Sequence, residues 1–473
     1  MNTSMKSATA FLAGITALLL AGCNVGPKYQ RPAVTAPPAF RGPDETAVSS
    51  DAKDSLGDEQ WSAVFREPEL QDLIRQALAN NYDLRVAAER VLEAQSQIRI
   101  TRAAGLPTLT VGGTGIGADL PSSLGSTLGG NNPLSFGSFN LSAAWTPDFW
   151  GLYRKQTEAA RDQMLAQAWA QRAVRMTLVG QVATSYFTLR SLDQQLEVAK
   201  QTLKARQDSL DLTKRLEHGG SAPLSDVRQA EQLLYTASAE IPQLQEQIQQ
   251  QENAMSLLLG KPPGPVAHTD PSALSPVPQD LPVGIPSQLL ERRPDIQQTE
   301  AQLKAANAQV GVAKAQFFPQ LSISASAGVG GDSLSNIFDP AGKTIYGLGT
   351  LTQPIFEGGK LRGQYELSKQ QKEELVLTYQ KTILTAFRDV SNSLIAVNKQ
   401  HATRAEQQKL VEAAQDATRL ARIRYEGGST AYLEVLTTDT NLFNAQLNLI
   451  NAEQSEALSL VQLYQALGGG WQQ

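Results

Sequence analysis

The 473-residue chain has one cysteine, three histidines and five methionines. A single cysteine excludes an internal disulfide, so no covalent staple holds the fold. His218, His268 and His401 are scattered, with no second histidine or cysteine at metal-ligand spacing. Past the N-terminal segment only Met164, Met176 and Met255 remain, which gives no basis for a thioether path for soft metals. Neither a phosphate-cradling glycine loop nor a Gly-x-Ser-x-Gly nucleophile turn occurs, so no enzyme is expected. Carboxylates are many but fall on polar helix faces, where they are solvated. A net charge of −5 gives no reason to expect nucleic acid. After the first two dozen residues no apolar run approaches the length of a membrane helix. Proline is absent from Leu152 to His218 and from Lys360 to Glu426, and each stretch has one glycine, Gly180 and Gly363. Helices of that length reach about 100 Å, against about three turns for an ordinary helix.

The lone cysteine stands where it has a use. Residues 1–22 carry Lys6 and then an apolar run from Ala10 to Ala21, the order of a secretory signal. The run ends Leu20-Ala21-Gly22-Cys23, which resembles the bacterial lipobox. Cleavage before Cys23 would leave it to take covalent lipid, diacylglycerol and a fatty acyl chain, and no other cofactor is expected. Asn24 follows in place of the aspartate that retains lipoproteins at the inner membrane, so export to the outer membrane is expected. Residues 26–43 are proline-rich and read as an extended part of an N-terminal tether over 23–57.

The rest of the chain is written twice. Trp145–Gly260 and Thr352–Gly468 follow one plan, at a nearly constant offset. Each copy has a strand, an aromatic and a glycine, a long helical stretch, a Gly-Gly turn (Gly219-Gly220 and Gly427-Gly428) and a second helix ending in Leu-Gly. The first copy is bounded at 58–260, with strands at about 106–118 and 136–147 and helices at about 151–218 and 222–259. The second is bounded at 287–468, with strands at about 318–330 and 344–356 and helices at about 358–426 and 430–467. A linker with eight prolines, 261–286, joins them, and 469–473 is a tail. Such a duplication means one unit stacked on itself.

After the first turn, Val227, Leu234, Ile241, Ile248 and Met255 recur every seven residues, with Ala230, Ala237, Leu244 and Leu258 beside them and Gln251 as a break. That is a coiled-coil seam, and Pro242 inside it should bend the helix. After the second turn there are two adjacent rows: Val435, Leu442 and Leu449, broken at Glu456; and Leu436, Phe443, Ile450, Ala457 and Tyr464. Two seams on one helix mean two neighbours, as in a wall of helices closing into a tube.

The strands alternate with period two. In Gln320–Val329, Leu321, Ile323, Ala325, Ala327 and Val329 alternate with small or polar residues. Phe139, Leu141, Ala143 and Trp145 do the same, Thr108–Gly117 is similar, and Ile345–Gln353 is the weakest case. About ten residues each, apolar on one face, is the pattern of an outer-membrane barrel. Four strands cannot close such a barrel, and open edges in lipid leave backbone groups unpaired. Two or more chains must therefore share it.

The signal, the lipobox, Gly26-Pro27-Lys28-Tyr29 and the doubled plan together resemble the outer-membrane efflux family, the TolC and OprM type, in its lipoprotein (NodT-like) branch. The more specific stretches are Leu289-Leu290-Glu291-Arg292-Arg293-Pro294-Asp295-Ile296, Phe317-Phe318-Pro319, Phe356-Glu357-Gly358-Gly359 and Arg424-Tyr425-Glu426-Gly427-Gly428 leading to Leu433-Glu434-Val435-Leu436. The resemblance implies a mainly α chain with a membrane β-barrel. Three copies would form a homotrimer with a twelve-stranded barrel, a twelve-helix periplasmic α-barrel and a mixed equatorial domain. It implies the exit duct of a tripartite efflux pump, with a periplasmic adaptor protein and an inner-membrane transporter as partners. The adaptor would meet the turns at Gly219, Gly220, Gly427 and Gly428. The periplasmic gate would draw on Asp226, Tyr425, Leu433, Glu434 and Thr437, with Leu433 as a hydrophobic plug and Glu434 in an acidic ring. Thr437 stands where relatives carry a second acid, and Thr430 where they carry an arginine that can bind Asp226. Two other readings stay open on the sequence: a channel for type I protein secretion, and a coiled-coil spacer lipoprotein.

Overall fold

The computed structural model describes residues 25–42, 47–48, 55–118, 134–267, 274, 277, 281–332, 336–337 and 339–471. The signal segment and Cys23 lie outside the described residues. In chain order the elements are a short ribbon, β1 (Phe40–Arg41) with β2 (Ala47–Val48), then α1 (Trp61–Val64), α2 (Pro68–Asn80) and α3 (Tyr82–Ala103). Next come β3 (Thr108–Ala118), β4 (Leu134–Trp145), α4 (Leu152–His218) and α5 (Leu224–Leu258). The second half has α6 (Leu289–Arg292), α7 (Pro294–Ala315), β5 (Gln320–Gly331), β6 (Lys343–Thr352), α8 (Lys360–Glu426) and α9 (Tyr432–Ala466).

The halves keep one rhythm. The α4 and α8 helices each have 67 residues, and α5 and α9 each have 35. One offset carries Leu152 to Lys360, His218 to Glu426 and Leu224 to Tyr432. A slightly larger one carries the 22-residue helix α3 onto α7, of the same length, and the start of β3 onto the start of β5. The difference falls in the strand hairpins. The strands stop short of the expected ends at 147 and 356 because Pro147 and Pro354 cannot donate to a ladder. Pro107 and Pro319 bound the other two strands in the same way.

Two compact units share the chain. The first takes Val91–Gln167, Thr299–Tyr379 and the part of Met1–Pro32 that is described. It holds a four-stranded antiparallel sheet in the order β3-β4-β5-β6. The register sets Leu141 opposite both Val111 and Ala327, and Ala327 opposite Ile345. It sets Ser142 opposite Thr110 and Ser326, and Ser326 opposite Tyr346. Partners in a ladder face the same side, so the alternations of the four strands add up. One face carries Leu109, Val111, Phe139, Leu141, Trp145, Leu321, Ile323, Val329 and Leu351. The other is mostly hydroxyls, amides and glycines, with Ile116, Phe136, Tyr346 and Leu348 among them, and there Ser142 and Ser326 share a hydrogen bond of 3.2 Å. Among the described residues β3 and β6 have no second neighbour, and every residue of β6 is exposed.

The N-terminal segment is extended and docked. Asn307 Nδ2 donates to Pro27 O (3.0 Å), and Arg31 pairs with the buried Glu300 at 2.8 Å. Arg31 Nε also donates to the Tyr379 hydroxyl at 3.0 Å. Trp150, stacked on Phe318 with ring centroids 4.9 Å apart, donates to Pro319 O at 2.7 Å.

The second unit takes Ala33–Arg90, Ala168–Gln298 and Gln380–Gln473. Its core is aliphatic and aromatic along the helix seams: Ala199, Leu244 and Phe443 form one buried cluster. The polar breaks in the heptads are used. Gln251 donates to Ser185 Oγ at 2.6 Å. Glu456, buried, meets His401 Nδ1 at 2.6 Å and Arg404 at 2.8 Å, and Arg404 also reaches Glu453 (3.1 Å) and Leu274 O (2.8 Å). α5 runs unbroken through Pro242. Arg293 donates to Ala466 O at 3.0 Å, capping one of the free carbonyls at the end of α9.

Candidate functional site

The two helical hairpins turn in the same way. Gly219, Gly220 and Ser221 donate back to Arg215, Glu217 and Leu216; Gly427, Gly428 and Ser429 donate back to Ile423, Tyr425 and Arg424. Gly220 and Gly428 have φ of 70° and 69°, the left-handed region that closes a helix with glycine. A Cβ at either would meet no neighbouring atom, so backbone conformation alone asks for glycine there.

Behind the turns the hairpins pack on each other. Leu210, Val227, Ala230, Ala421, Tyr432 and Val435 form a buried cluster, with Leu234, Tyr425 and Leu436 against it. Tyr425 and Tyr432 meet edge to face at 5.2 Å between centroids. The Tyr425 hydroxyl is buried beside Thr213 and Asp226. Burial pushes its pKa up, and the Asp226 carboxylate across the hairpins adds to the shift. Asp226 is thus brought to Tyr425, while its backbone N–H opens α5 by donating to Pro223 O. A carboxylate at a helix N-terminus is favoured in its own right by the dipole.

Leu433 is 60% exposed and takes no part in the cluster. Thr437 donates to the backbone oxygen of Leu433 at 2.8 Å and offers no charge. Glu434 is partnered: Arg424 reaches one carboxylate oxygen at 2.8 Å and the Thr430 hydroxyl donates to the other. Arg424 stands in one of the stretches that carry the family resemblance but was given no role at the gate, because basic residues in a last helical turn are ordinary.

A second group the sequence reading missed lies two turns into α9. Asp439 is buried, accepts from Arg206 Nε at 2.8 Å and from Arg422 Nη2 at 2.9 Å, and so ties α4, α8 and α9. Arg206 also donates to Leu233 O at 3.0 Å and lies over the Phe443 ring at 5.3 Å. The signal was available: Asp439 falls between Val435 and Leu442, beside the heptad rows, where an unpaired carboxylate would be costly.

Comparison with known proteins agrees with this plan. The family model described as outer membrane efflux protein matches residues 73–261 and 285–469. The toluene efflux pump outer membrane protein TtgC of Pseudomonas putida is 37% identical over 464 residues, covering 97% of this chain and 94% of that protein. The cation efflux system protein CusC of Escherichia coli is 33% identical over 461 residues, covering 97% and 98%. Among solved structures, the open state of the Neisseria gonorrhoeae MtrE outer membrane channel aligns with a TM-score of 0.82 at 28% identity, over 95% of this chain and 99% of that one. This chain therefore belongs to the outer membrane efflux protein family, whose members are channels of the Gram-negative outer membrane.

Proposed function

We propose that this chain is the outer-membrane exit duct of a tripartite efflux pump, conducting small molecules from the periplasm to the outside. Three copies share a twelve-stranded barrel that continues into a twelve-helix periplasmic tunnel with a mixed equatorial belt. The observation that carries this reading is the four-stranded sheet, apolar on one face and mostly small or polar on the other, with an edge on each side left unpaired among the described residues. Unpaired edges are not tolerated in lipid, and a shared barrel removes them. Lipid on Cys23 would anchor the chain. Val25, two residues on, donates to Trp150 O at 3.4 Å, beside the aromatic pair that suits a membrane interface.

A periplasmic adaptor meets the Gly-Gly turns, and an inner-membrane transporter supplies the energy. Relatives named for toluene and for cations set the range of cargo. Only three methionines occur beyond the signal, which favours organic solutes such as antibiotics over soft metal ions. The gate is the exposed Leu433, which three copies bring together, and opening is a two-state shift of the α8–α9 hairpin biased by adaptor docking.

Planar-bilayer recording of the purified protein tests this. The wild type should form small-conductance channels, and Leu433→Ala should raise their conductance. Protein that inserts but never conducts would refute the duct. Unchanged conductance in Leu433→Ala would place the plug elsewhere.

A further inference from the structure

Helix α9 keeps its charges covered. Its 35 residues include four acids, Glu434, Asp439, Glu453 and Glu456, and no lysine, arginine or histidine. Each acid is held by an arginine of α4 or α8. Arg424 holds Glu434 at 2.8 Å, and Arg206 and Arg422 hold Asp439. Arg404 holds Glu453 at 3.1 Å and Glu456 at 2.8 Å. Asp439, Glu453 and Glu456 are buried as well. The repeat counterpart α5 differs, leaving Arg228 and Glu246 exposed.

What α9 does expose is uncharged. From Leu433 to Asn451 its exposed residues are Leu433, Thr437, Asn441, Asn444, Asn448 and Asn451. Steps of three and four set them on one face of the helix, in a stripe about 27 Å long at about 1.5 Å per residue. Asparagine is a weaker helix former than the lysine, glutamate, glutamine or alanine that suits an exposed face. A line of asparagines therefore asks for a reason other than solubility. Each amide offers donors and an acceptor without charge. Asn441, Asn444 and Asn448 line a groove of about 430 Å³ with Leu410, Ala413 and Ala417 of α8, so amides and aliphatic carbons share one surface.

We infer that this stripe is the surface over which cargo passes, and that its neutrality lets the duct carry organic solutes of either charge. This rests on the exit-duct reading above, in which Leu433 faces the axis; the other five residues share its face of one unbroken helix. A fixed charge on that face would hold solutes of one sign and repel those of the other. Conduction needs sites that a solute leaves as readily as it enters. Amides bond to cations, anions and neutral polar groups alike, and the aliphatic carbons of the groove take the apolar part of an amphipathic solute. Covering the four acids with arginines keeps the helix in this state.

Reversal potentials of the full-length protein in a potassium chloride gradient test this. Asn444→Asp should shift the permeability ratio several-fold toward the cation, and Asn444→Lys several-fold toward the anion. An unmoved ratio in channels that conduct would overturn the cargo track. A lowered temperature of oligomer dissociation without such a shift would place the stripe between copies instead. Protein that inserts but never conducts would remove the exit duct itself, and the track with it. In the wild type, replacing potassium by tetraethylammonium, or chloride by gluconate, should lower the two permeabilities by similar factors; loss of one alone would contradict neutrality. Should the charged variants fail to insert, Asn448→Cys can be charged after insertion, with Cys23 the only native cysteine and common to every variant. A cationic methanethiosulfonate should then act as the lysine does and an anionic one as the aspartate does. No shift with either reagent would count equally against the stripe.

Discussion

Glu434 carries its charge beside a cation, and this changes what an acidic ring at the mouth would do. With Arg424 at 2.8 Å the pair is close to neutral, and both side chains remain accessible to water. Its contribution to stability is therefore about 0–1 kcal/mol. Its contribution to ion selection is larger, because charged rings set the preference of a pore. Glu434→Gln leaves the Arg424 guanidinium unbalanced, so reversal potentials in a salt gradient should move toward anion preference. An unmoved reversal potential would take both residues off the conduction path. Asp439 is the opposite case. Buried between Arg206 and Arg422, it cannot be removed without leaving Arg206 charged and unpaired. Asp439→Asn should destabilise the protein by about 3–5 kcal/mol, read as a lowered melting temperature; an unchanged melt would mean that water or another acid replaces the carboxylate. At this scale the sequence is legible where a residue breaks a pattern. Gln251 and Glu456 interrupt heptad rows, and both prove to be hydrogen-bonded across helices. Asp439 lies beside these rows and in neither of them, three threonines nearby blur the seam, and its two arginines are distant in the chain, Arg206 far more so than Arg422.

Single elements were legible where apolar and small or polar residues alternate, or where a long run lacks proline. The alternation over Gln320–Val329 lies within a strand that runs Gln320–Gly331, and the proline-free stretches coincide with α4 and α8. The α3 and α7 helices were not read as helices, for opposite reasons. α7 is buried around much of its circumference among small residues, and α3 has only Ala87 buried, so neither shows a single apolar stripe. The strand reading yields a sharp contrast. Leu141 lies on the apolar face and Thr110 on the polar one. An arginine facing lipid near the bilayer midplane costs about 2–4 kcal/mol per copy. Leu141→Arg should therefore sharply reduce the folded protein recovered in outer membranes, and Thr110→Arg should leave it nearly unchanged. Equal recovery of the two would mean that the sheet does not face lipid on the side assigned.

For the whole molecule the central question is how many chains complete one barrel. Among the described residues, a single chain supplies a four-stranded sheet with two bare edges, and long helices with exposed leucines, among them Leu367, Leu377 and Leu384. Neither feature suits a monomer in water or in lipid, and a ring of copies resolves both. The number three comes from family likeness and not from this sheet. The deciding measurement is the native mass of the mature protein extracted in detergent. Three copies, each with the added mass of acyl chains on Cys23, is the predicted result; a stable monomer would contradict the shared duct.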